Sequence, residues 1–140
     1  MNNRRRYKME FALEVGMKAV IEHVVGEKDT AVHYGSGGVL VYATPAMIGL
    51  MENASLKAVD PHLPKGYATV GTHLDVKHMA ATPVGMMVRA EAELIEADGK
   101  KLTFRIDAYD EKDKIGEGFH SRYIIHVDKF IQATASKGSK

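Results

Sequence analysis

The segment TPAMIGLMENASLKAV, residues 44–59, decides the fold, because it is typical of a helix in a chain that otherwise favours strands. Thr44 can cap the backbone N–H groups of a first turn, and Pro45 then occupies the first helical position, where its missing N–H costs nothing. Pro61 forbids much extension at the other end. Helical spacing places the apolar side chains on one stripe: Met47, Leu50, Met51, Ala54 and Ala58. Glu52 lies at the edge of this stripe, so its carboxylate faces either solvent or a pocket.

Length and composition indicate one globular domain. The chain has 140 residues, of which 26% are charged and 45% hydrophobic, the ordinary balance of a soluble protein. It contains no cysteine, which excludes disulfides, thiolate catalysis and cysteine-ligated zinc or iron–sulfur sites. The sequence has no apolar run of membrane-spanning length and no signal-like segment near its start, so we expect a cytoplasmic protein without membrane association. Its net charge of +1 argues against general binding of nucleic acid.

The ends of the chain differ from its middle in composition. Residues 1–15 form a predicted N-terminal arm, whose basic run RRRYK at 4–8 is more typical of a solvated terminus than of a phosphate site. Residues 131–140 are mostly small or polar, which predicts a flexible C-terminal tail. The single domain is therefore expected to span residues 16–130.

Alternating apolar side chains predict strands on both sides of the helix. Before it, residues 19–25 favour a strand and residues 30–34 a short strand paired back on it, followed by a Gly-Ser-Gly-Gly lid or linker at 35–38. After it, the pattern predicts an antiparallel meander over segments 67–78, 86–96, 102–108 and 115–127. One helix cannot cover a sheet of about five or six strands, so we expect a second copy of the chain to complete the cover.

The first strand of this meander ends in a histidine. Alternation along residues 67–78 places one row on the core side: Val70, Thr72, Leu74, Val76 and His78. Gly71 and His73 belong to the opposite row. We therefore expect His78 to point inward and His73 to point outward.

Four segments together resemble the fluoroacetyl-CoA thioesterase-like family of hotdog-fold thioesterases. They are TPAMIGLME (44–52), PHLP (61–64), GTHLDVKHMAATPVG (71–85) and the hairpin DGKKLTF (98–104). The resemblance covers about residues 16–130, and the segment 71–85 is its most specific part. It implies an α+β hotdog fold, in which a curved antiparallel sheet wraps one central helix.

The resemblance also implies an acyl-CoA thioesterase, which hydrolyses a thioester to a carboxylic acid and free CoA. Thr44, Glu52 and His78 match the family's catalytic threonine, glutamate and histidine. Gly71 matches the glycine whose backbone amide lies beside the thioester carbonyl, and Arg122 matches an arginine near the site, so both are candidates for substrate binding. Glu52 would activate water or attack the carbonyl directly, and the sequence favours neither route. His78 would exchange a proton with water or with the leaving thiolate.

Taken singly, each of these residues also has a structural explanation. Thr44 could be a plain helix cap, Glu52 a solvated helix residue and His78 a hydrogen-bonded histidine at the edge of the core. Gly71 could mark a β-bulge, and Arg122 could be a surface ion-pair partner. The functional interpretation rests on all five positions matching together.

The remaining expectations concern cofactors, partners and specificity. No metal is predicted, because no ligand spacing stands out among His23, His33, His62, His120 and His126. No cofactor is expected beyond the CoA thioester itself, whose phosphates could meet Lys65, Lys77, Arg89 or the basic arm. The expected partner is a second copy in a homodimer, with a dimer of dimers left open. No phenylalanine lies between Phe11 and Phe104, so we expect a general acyl group of unknown length rather than a fluorinated one.

Two other functions on the same fold stay open at this point. One is a protein that binds acyl-CoA or another small ligand without hydrolysing it. The other is an enoyl-CoA hydratase or dehydratase, which typically pairs a histidine with an acidic residue inside a different local motif.

Overall fold

The computed structural model describes residues 11–139. Among these residues, one sheet contains strands β1 (Lys18–Val24), β2 (Tyr67–His78), β3 (Met87–Asp98), β4 (Lys101–Tyr109) and β5 (Lys114–His126). The α-helices are α1 (Ala31–Tyr34), α2 (Thr44–Val59) and α3 (Val127–Ser136). All neighbouring strands are antiparallel in the order β1-β3-β4-β5-β2, so β1 and β2 form the edges of the sheet. No helix in this part of the chain has the length and hydrophobicity needed to cross a membrane.

Helix α2 is the centre of the fold, as the sequence predicts. It contacts all five strands. Because neighbouring strands lie about 4.8 Å apart, a flat sheet of this width would be about 20 Å across, nearly twice the diameter of a helix. The sheet must therefore curve around α2 to bring every strand into contact with it.

The apolar stripe of α2 packs against the inner face of the sheet. Its buried members are Met47, Met51, Ala54 and Ala58. The sheet contributes Val88, Leu94, Leu102, Phe104 and Ile106 to the same core. Gly116 on β5 lets the helix approach closely, since a Cβ there would lie 2.6 Å from the Met47 sulfur. The core therefore depends on a glycine as well as on large apolar side chains.

Residues 30–34 form a helical turn, so the short strand predicted there is wrong. The Thr30 hydroxyl accepts a hydrogen bond from the backbone N–H of His33 at 3.3 Å and caps α1. Gly35 ends the helix with a φ of 72°, a conformation that favours glycine. The backbone N–H of Ala31 donates to the carbonyl of Val41 at 2.9 Å. This bond joins the start of α1 to the end of the loop that follows the helix.

A bulge in β2 decides which of its side chains face α2. The register against β5 shifts between Gly71, which lies opposite Arg122, and His73, which lies opposite Ser121. Thr72 is the extra residue, so the alternation restarts after it. Val70 consequently lies on the outer face, and its predicted inward orientation, like that of Thr72, is wrong. The inner row is Thr69, Gly71, Leu74, Val76 and His78.

The two ends of the described chain differ, because the C-terminal helix α3 has no buried residue whereas Phe11 contacts the sheet. Helix α3 continues to Ser136, so the tail boundary predicted at residue 131 falls inside a helix. At the other end, the ring of Phe11 lies edge-on against Tyr67 with 5.4 Å between centroids. The basic run at 4–8 lies outside the described residues.

Candidate active site

Thr44 lies at the first position of α2 and contacts the end of β2. Ala43 is the residue that precedes the helix, and the helix start has no side-chain cap, so the predicted capping role of Thr44 is wrong. The Thr44 hydroxyl lies instead 2.7 Å from Nδ1 of His78. This contact, the Thr44–His78 pair, joins residues that are far apart in the sequence.

His78 has its other ring nitrogen buried in the protein. Its Nε2 atom is buried and has no hydrogen-bond partner among residues 11–139. Burial lowers the pKa of His78 from its ordinary value of 6.5, and the backbone of Ala80 partly offsets this shift. The neutral imidazole is therefore favoured. A buried nitrogen without a partner costs free energy, which a bound molecule with a suitable polar atom would recover.

An open cavity of about 300 Å³ adjoins the Thr44–His78 pair. The other residues that line it are mostly small or apolar: Ala31, Ser36, Val41, Tyr42, Met79, Ala80 and Ala81. The loop that follows α1 thus supplies one wall. Burial raises the pKa of the Tyr42 phenol, which stays neutral and points its hydroxyl towards the carbonyl of Ala46 at 3.4 Å.

Glu52 is partly buried, and its carboxylate lies beside Gly71 on β2. A Cβ atom added to Gly71 would lie 2.9 Å from a Glu52 carboxylate oxygen. The same point lies 3.1 Å from Cε1 of His120 and 3.5 Å from Nη1 of Arg122. We call these four residues the Glu52 cluster. The side chains of Glu52, His120 and Arg122 converge on Gly71, where the β2 backbone carries no side chain.

Arg122 is buried, with 5% of its surface exposed, rather than part of a surface ion pair. Its Nε donates to the Thr69 hydroxyl at 2.7 Å, and its Nη2 donates to the Thr69 carbonyl at 2.9 Å. The Thr69 hydroxyl in turn donates to Asp60 at 2.6 Å. Burial lowers the pKa of Arg122, while Asp60 and Glu52 act in the opposite direction. The guanidinium stays charged at physiological pH because its ordinary pKa is far higher.

His120 belongs to the same cluster, although its sequence position suggests no role beyond that of a possible metal ligand. It is 1% exposed, with Nδ1 2.8 Å from the His73 carbonyl and Nε2 3.1 Å from Nη1 of Arg122. The available signal was strand alternation, which places His120 and Arg122 two residues apart on one face of β5 with the buried Ile124.

The structure brings the predicted residues together in two groups. Thr44 contacts His78, whereas Glu52 lies with Gly71 and Arg122. Thr44 and Glu52 are separated by eight residues on α2, or about 12 Å along its axis at about 1.5 Å per residue. We call the Thr44–His78 pair and the Glu52 cluster the two half-sites of the chain.

Metal ligation has no candidate in this part of the chain. Within residues 11–139, no three side chains of His, Cys, Asp or Glu are placed to hold a metal ion. His23, one of the histidines considered for metal ligation in the sequence, lies instead with its Nε2 atom 2.8 Å from the Asp29 carboxylate.

Comparison with known protein families gives a match that includes both half-sites. The model of the fluoroacetyl-CoA-specific thioesterase family matches residues 25–128. The chain belongs to this family. The family resemblance noted in the sequence is thereby confirmed.

Individual members of the thioesterase family are similar in sequence and in structure. The fluoroacetyl-CoA thioesterase of Streptantibioticus cattleyicolor is 46% identical over 90 residues, which are 64% of this chain and 65% of that curated relative. A solved structure of the fluoroacetyl-CoA thioesterase FlK superposes with a TM-score of 0.85 at 37% identity, covering 90% of this chain and 98% of that one. A thioesterase superfamily member from Thermus thermophilus gives 0.80 at 31% identity, with 89% and 94% covered.

A more distant structure bears on the fold alone. A hot-dog-like protein from Thermanaerovibrio acidaminovorans is 19% identical, with a TM-score of 0.82 and 96% and 98% of the two chains covered. Together with the FlK structure, it confirms the predicted hotdog fold.

Proposed function

We propose that this member of the family is an acyl-CoA thioesterase, which hydrolyses a thioester to a carboxylic acid and free CoA. The observation that carries the proposal is the Thr44–His78 pair, which is 2.7 Å long and adjoins a cavity of about 300 Å³. A neutral imidazole held at Nδ1 by a hydroxyl presents Nε2 for hydrogen bonding or proton transfer. Family membership indicates the class of substrate on which that nitrogen acts.

Glu52 supplies the base or the nucleophile in the proposed reaction. As a base, its carboxylate takes a proton from water while the water oxygen bonds to the thioester carbon. The tetrahedral intermediate then collapses, the C–S bond breaks, and the CoA thiolate recovers that proton with His78 positioned at the sulfur. As a nucleophile, Glu52 displaces the thiolate to form an anhydride, which water hydrolyses. Both routes consume one water and release one acid and one thiol.

Gly71 and Arg122 are proposed to bind the thioester. The absence of a side chain at Gly71 lets a carbonyl group approach the β2 backbone closely. Arg122 adds a fixed positive charge beside the position where negative charge develops on the carbonyl oxygen. The N-terminus of α2, at Thr44, adds partial positive charge to the other half-site.

We further propose that two chains pair through their β2 edges, which would unite the half-sites. Strand β2 has 12 residues and lies at the edge of the sheet, with Leu74 39% exposed. An unpaired edge of this length is a template for a further strand. Antiparallel pairing about a twofold axis between Leu74 and Asp75 places Gly71 of one chain opposite His78 of the other. Each composite site would then join the Glu52 cluster of one chain to the partner's Thr44–His78 pair.

The acyl group is proposed to be a general one rather than only a fluorinated one. Small residues such as Ala31, Ser36 and Ala81 line the cavity, and the neighbouring segment 35–38 is Gly-Ser-Gly-Gly. Such walls leave room for acyl groups of more than one kind. Among the cations predicted for the CoA phosphates, Arg89 already pairs with Glu91 at 2.7 Å, so Lys65 and Lys77 remain the better candidates. A cytoplasmic location also remains a prediction from the sequence.

The test is release of free thiol from a panel of acyl-CoA substrates. We expect turnover by the unmodified protein and a loss of at least about 100-fold in Glu52→Gln and in His78→Ala, the usual scale for acid–base groups. His62→Asn is the matched control, because this exposed histidine lies outside both half-sites. Calorimetric binding of acyl-CoA without thiol release would indicate a binding protein instead. Hydration of an enoyl-CoA would indicate a hydratase.

A further inference from the structure

We infer that His120 is a positioning residue of this site, which acts through Arg122 by holding its guanidinium beside Glu52 and Gly71. The inference rests on the proposed function for what the positioned charge does in the reaction. The way in which the Arg122 charge is held is inferred separately, from hydrogen bonds within the chain.

The hydrogen bonds identify the protonation state of His120. Arginine can only donate, so Nε2 of His120 must accept from Nη1 of Arg122 at 3.1 Å. Nδ1 must then carry the proton and donate to the His73 carbonyl at 2.8 Å. His120 is therefore a neutral imidazole with both nitrogens engaged. A protonated His120 would place a second donor against the guanidinium and break this contact.

The contacts of Arg122 show what this arrangement achieves. Its hydrogen-bond acceptors are all neutral: the hydroxyl and carbonyl of Thr69, and Nε2 of His120. Among residues 11–139, no carboxylate is in salt-bridge contact with Arg122. Three of the five guanidinium N–H groups are used, which leaves one hydrogen each on Nη1 and Nη2. The positive charge is thus immobilised without being neutralised by direct contact.

The position of His120 explains why Nη1 in particular needs a partner. Nη1 is the guanidinium nitrogen that would lie 3.5 Å from a Cβ atom added to Gly71, and that Cβ atom would also lie 2.9 Å from the Glu52 carboxylate. Thr69 holds the opposite edge through Nε and Nη2, and among residues 11–139 it is His120 that hydrogen-bonds to the edge facing Gly71. His73, which accepts from His120, directly follows the bulge in β2. His120 therefore links the guanidinium to the bulge that brings Gly71 inward.

Burial and charge around His120 favour the neutral form. The charged or titratable groups that face it are Arg122 on its own strand, Glu52 on α2 and His73 on β2. Burial lowers the pKa of His120, and Arg122 and His73 lower it further, while the His73 carbonyl and Glu52 act in the opposite direction. The lowered pKa therefore favours the same neutral form that the hydrogen bonds of His120 require.

Two substitutions separate the contact with Arg122 from the contact with His73. In His120→Gln, the side-chain oxygen can occupy the position of Nε2 and accept from Arg122. In His120→Asn, the side-chain NH2 can occupy the position of Nδ1 and donate to the His73 carbonyl, but nothing accepts from Arg122. We expect His120→Gln to keep kcat/KM within about threefold of the unmodified protein, and His120→Asn to lose about tenfold or more, mainly in kcat, as for loss of a hydrogen bond to a charged group.

A double-mutant cycle with Arg122→Lys tests whether His120 acts through Arg122. If it does, His120→Asn has little further effect once Arg122→Lys is present. Equal effects of His120→Asn in both backgrounds, or a loss in His120→Gln with retention in His120→Asn, would overturn the inference. Melting curves show whether a variant loses activity because its fold is less stable. The His62→Asn control shows the effect of replacing a histidine outside the site.

Nitrogen NMR of the unmodified protein tests the positioning without any need for activity. We expect an unprotonated Nε2 and a protonated Nδ1 for His120, and slowly exchanging Nη hydrogens for Arg122. These hydrogens should exchange faster in His120→Asn and stay protected in His120→Gln. A protonated Nε2 would overturn the inference even if thiol release is normal. The expected spectra in a protein that turns over no acyl-CoA would leave the positioning intact and reject the proposed function.

Discussion

Mixing two inactive variants should restore activity if each site combines residues from two chains. Glu52→Gln disables the Glu52 cluster of a chain, and His78→Ala disables its Thr44–His78 pair. Thr44 and Glu52 are separated by about 12 Å along the axis of α2, and pairing through β2 would bring the Glu52 cluster of each chain to the Thr44–His78 pair of the other. In a mixed dimer, one composite site receives both substitutions and the other receives neither.

The expected recovery follows from counting sites. A purified mixed dimer has one intact site in two, so its rate should be about half that of the unmodified dimer. Random exchange of equal amounts of the two variants yields about half mixed dimers, and the expected rate is then about one quarter. Each variant alone should show almost none. If both half-sites served the same chain, every mixture would stay inactive.

The assay combines two affinity tags with thiol release. Each variant carries a different tag, the chains are co-expressed, and two successive purifications isolate the mixed dimer. Native mass spectrometry checks that both chains are present before the rate is measured. A verified mixed dimer without activity would refute shared sites, and a monomer in light scattering at micromolar concentration would refute the dimer itself.

Three further predictions concern single residues. Gly71→Ala should lower kcat/KM by about tenfold or more, because the added Cβ would lie 2.9 Å from a carboxylate oxygen of Glu52. The melting temperature should change little, because Gly71 is exposed. Normal kinetics would contradict this prediction. Gly116→Ala should lower the free energy of unfolding by about 1–3 kcal/mol in urea titrations, because its Cβ would lie 2.6 Å from the Met47 sulfur. The free energy of unfolding should fall in acid because of His120. Burial lowers the pKa of His120 below 6.5, so the neutral imidazole stabilises the fold above about pH 6.5, and this stabilisation is lost as the pH falls through the folded-state pKa. Urea titrations across this range should show a weaker pH dependence for His120→Gln, and an unchanged one would contradict the assignment.

The helix and most strands could be predicted because their signals are local. The apolar spacing of residues 44–59 and the breaker Pro61 identify α2 within the bounds that the structure shows. The strand predicted at 30–34 failed because Thr30 and Gly35 supply a cap and a stop for a helical turn, and these signals outweigh the apolar content between them.

The geometry of the site depends on contacts that alternation cannot supply. Gly71 and His78 are seven residues apart, so strict alternation places them on opposite faces of β2. The bulge at Thr72 adds one residue, and both then face α2. The family resemblance could name both residues, but only the register against β5 shows that they share a face.

The same reasoning explains why the site interrupts an otherwise regular core. The inner face of β5 begins with Gly116, against which Met47 of α2 packs, and continues through His120 and Arg122 to the buried Ile124. An apolar residue at either polar position would suit the core better, since a buried guanidinium with only neutral acceptors is costly. A local departure from inward apolar patterning is expected where function requires it. Because Glu52 is the residue of α2 that lies against this interruption, the proposed reaction would use the edge of the apolar stripe, while the rest of the stripe packs in the core.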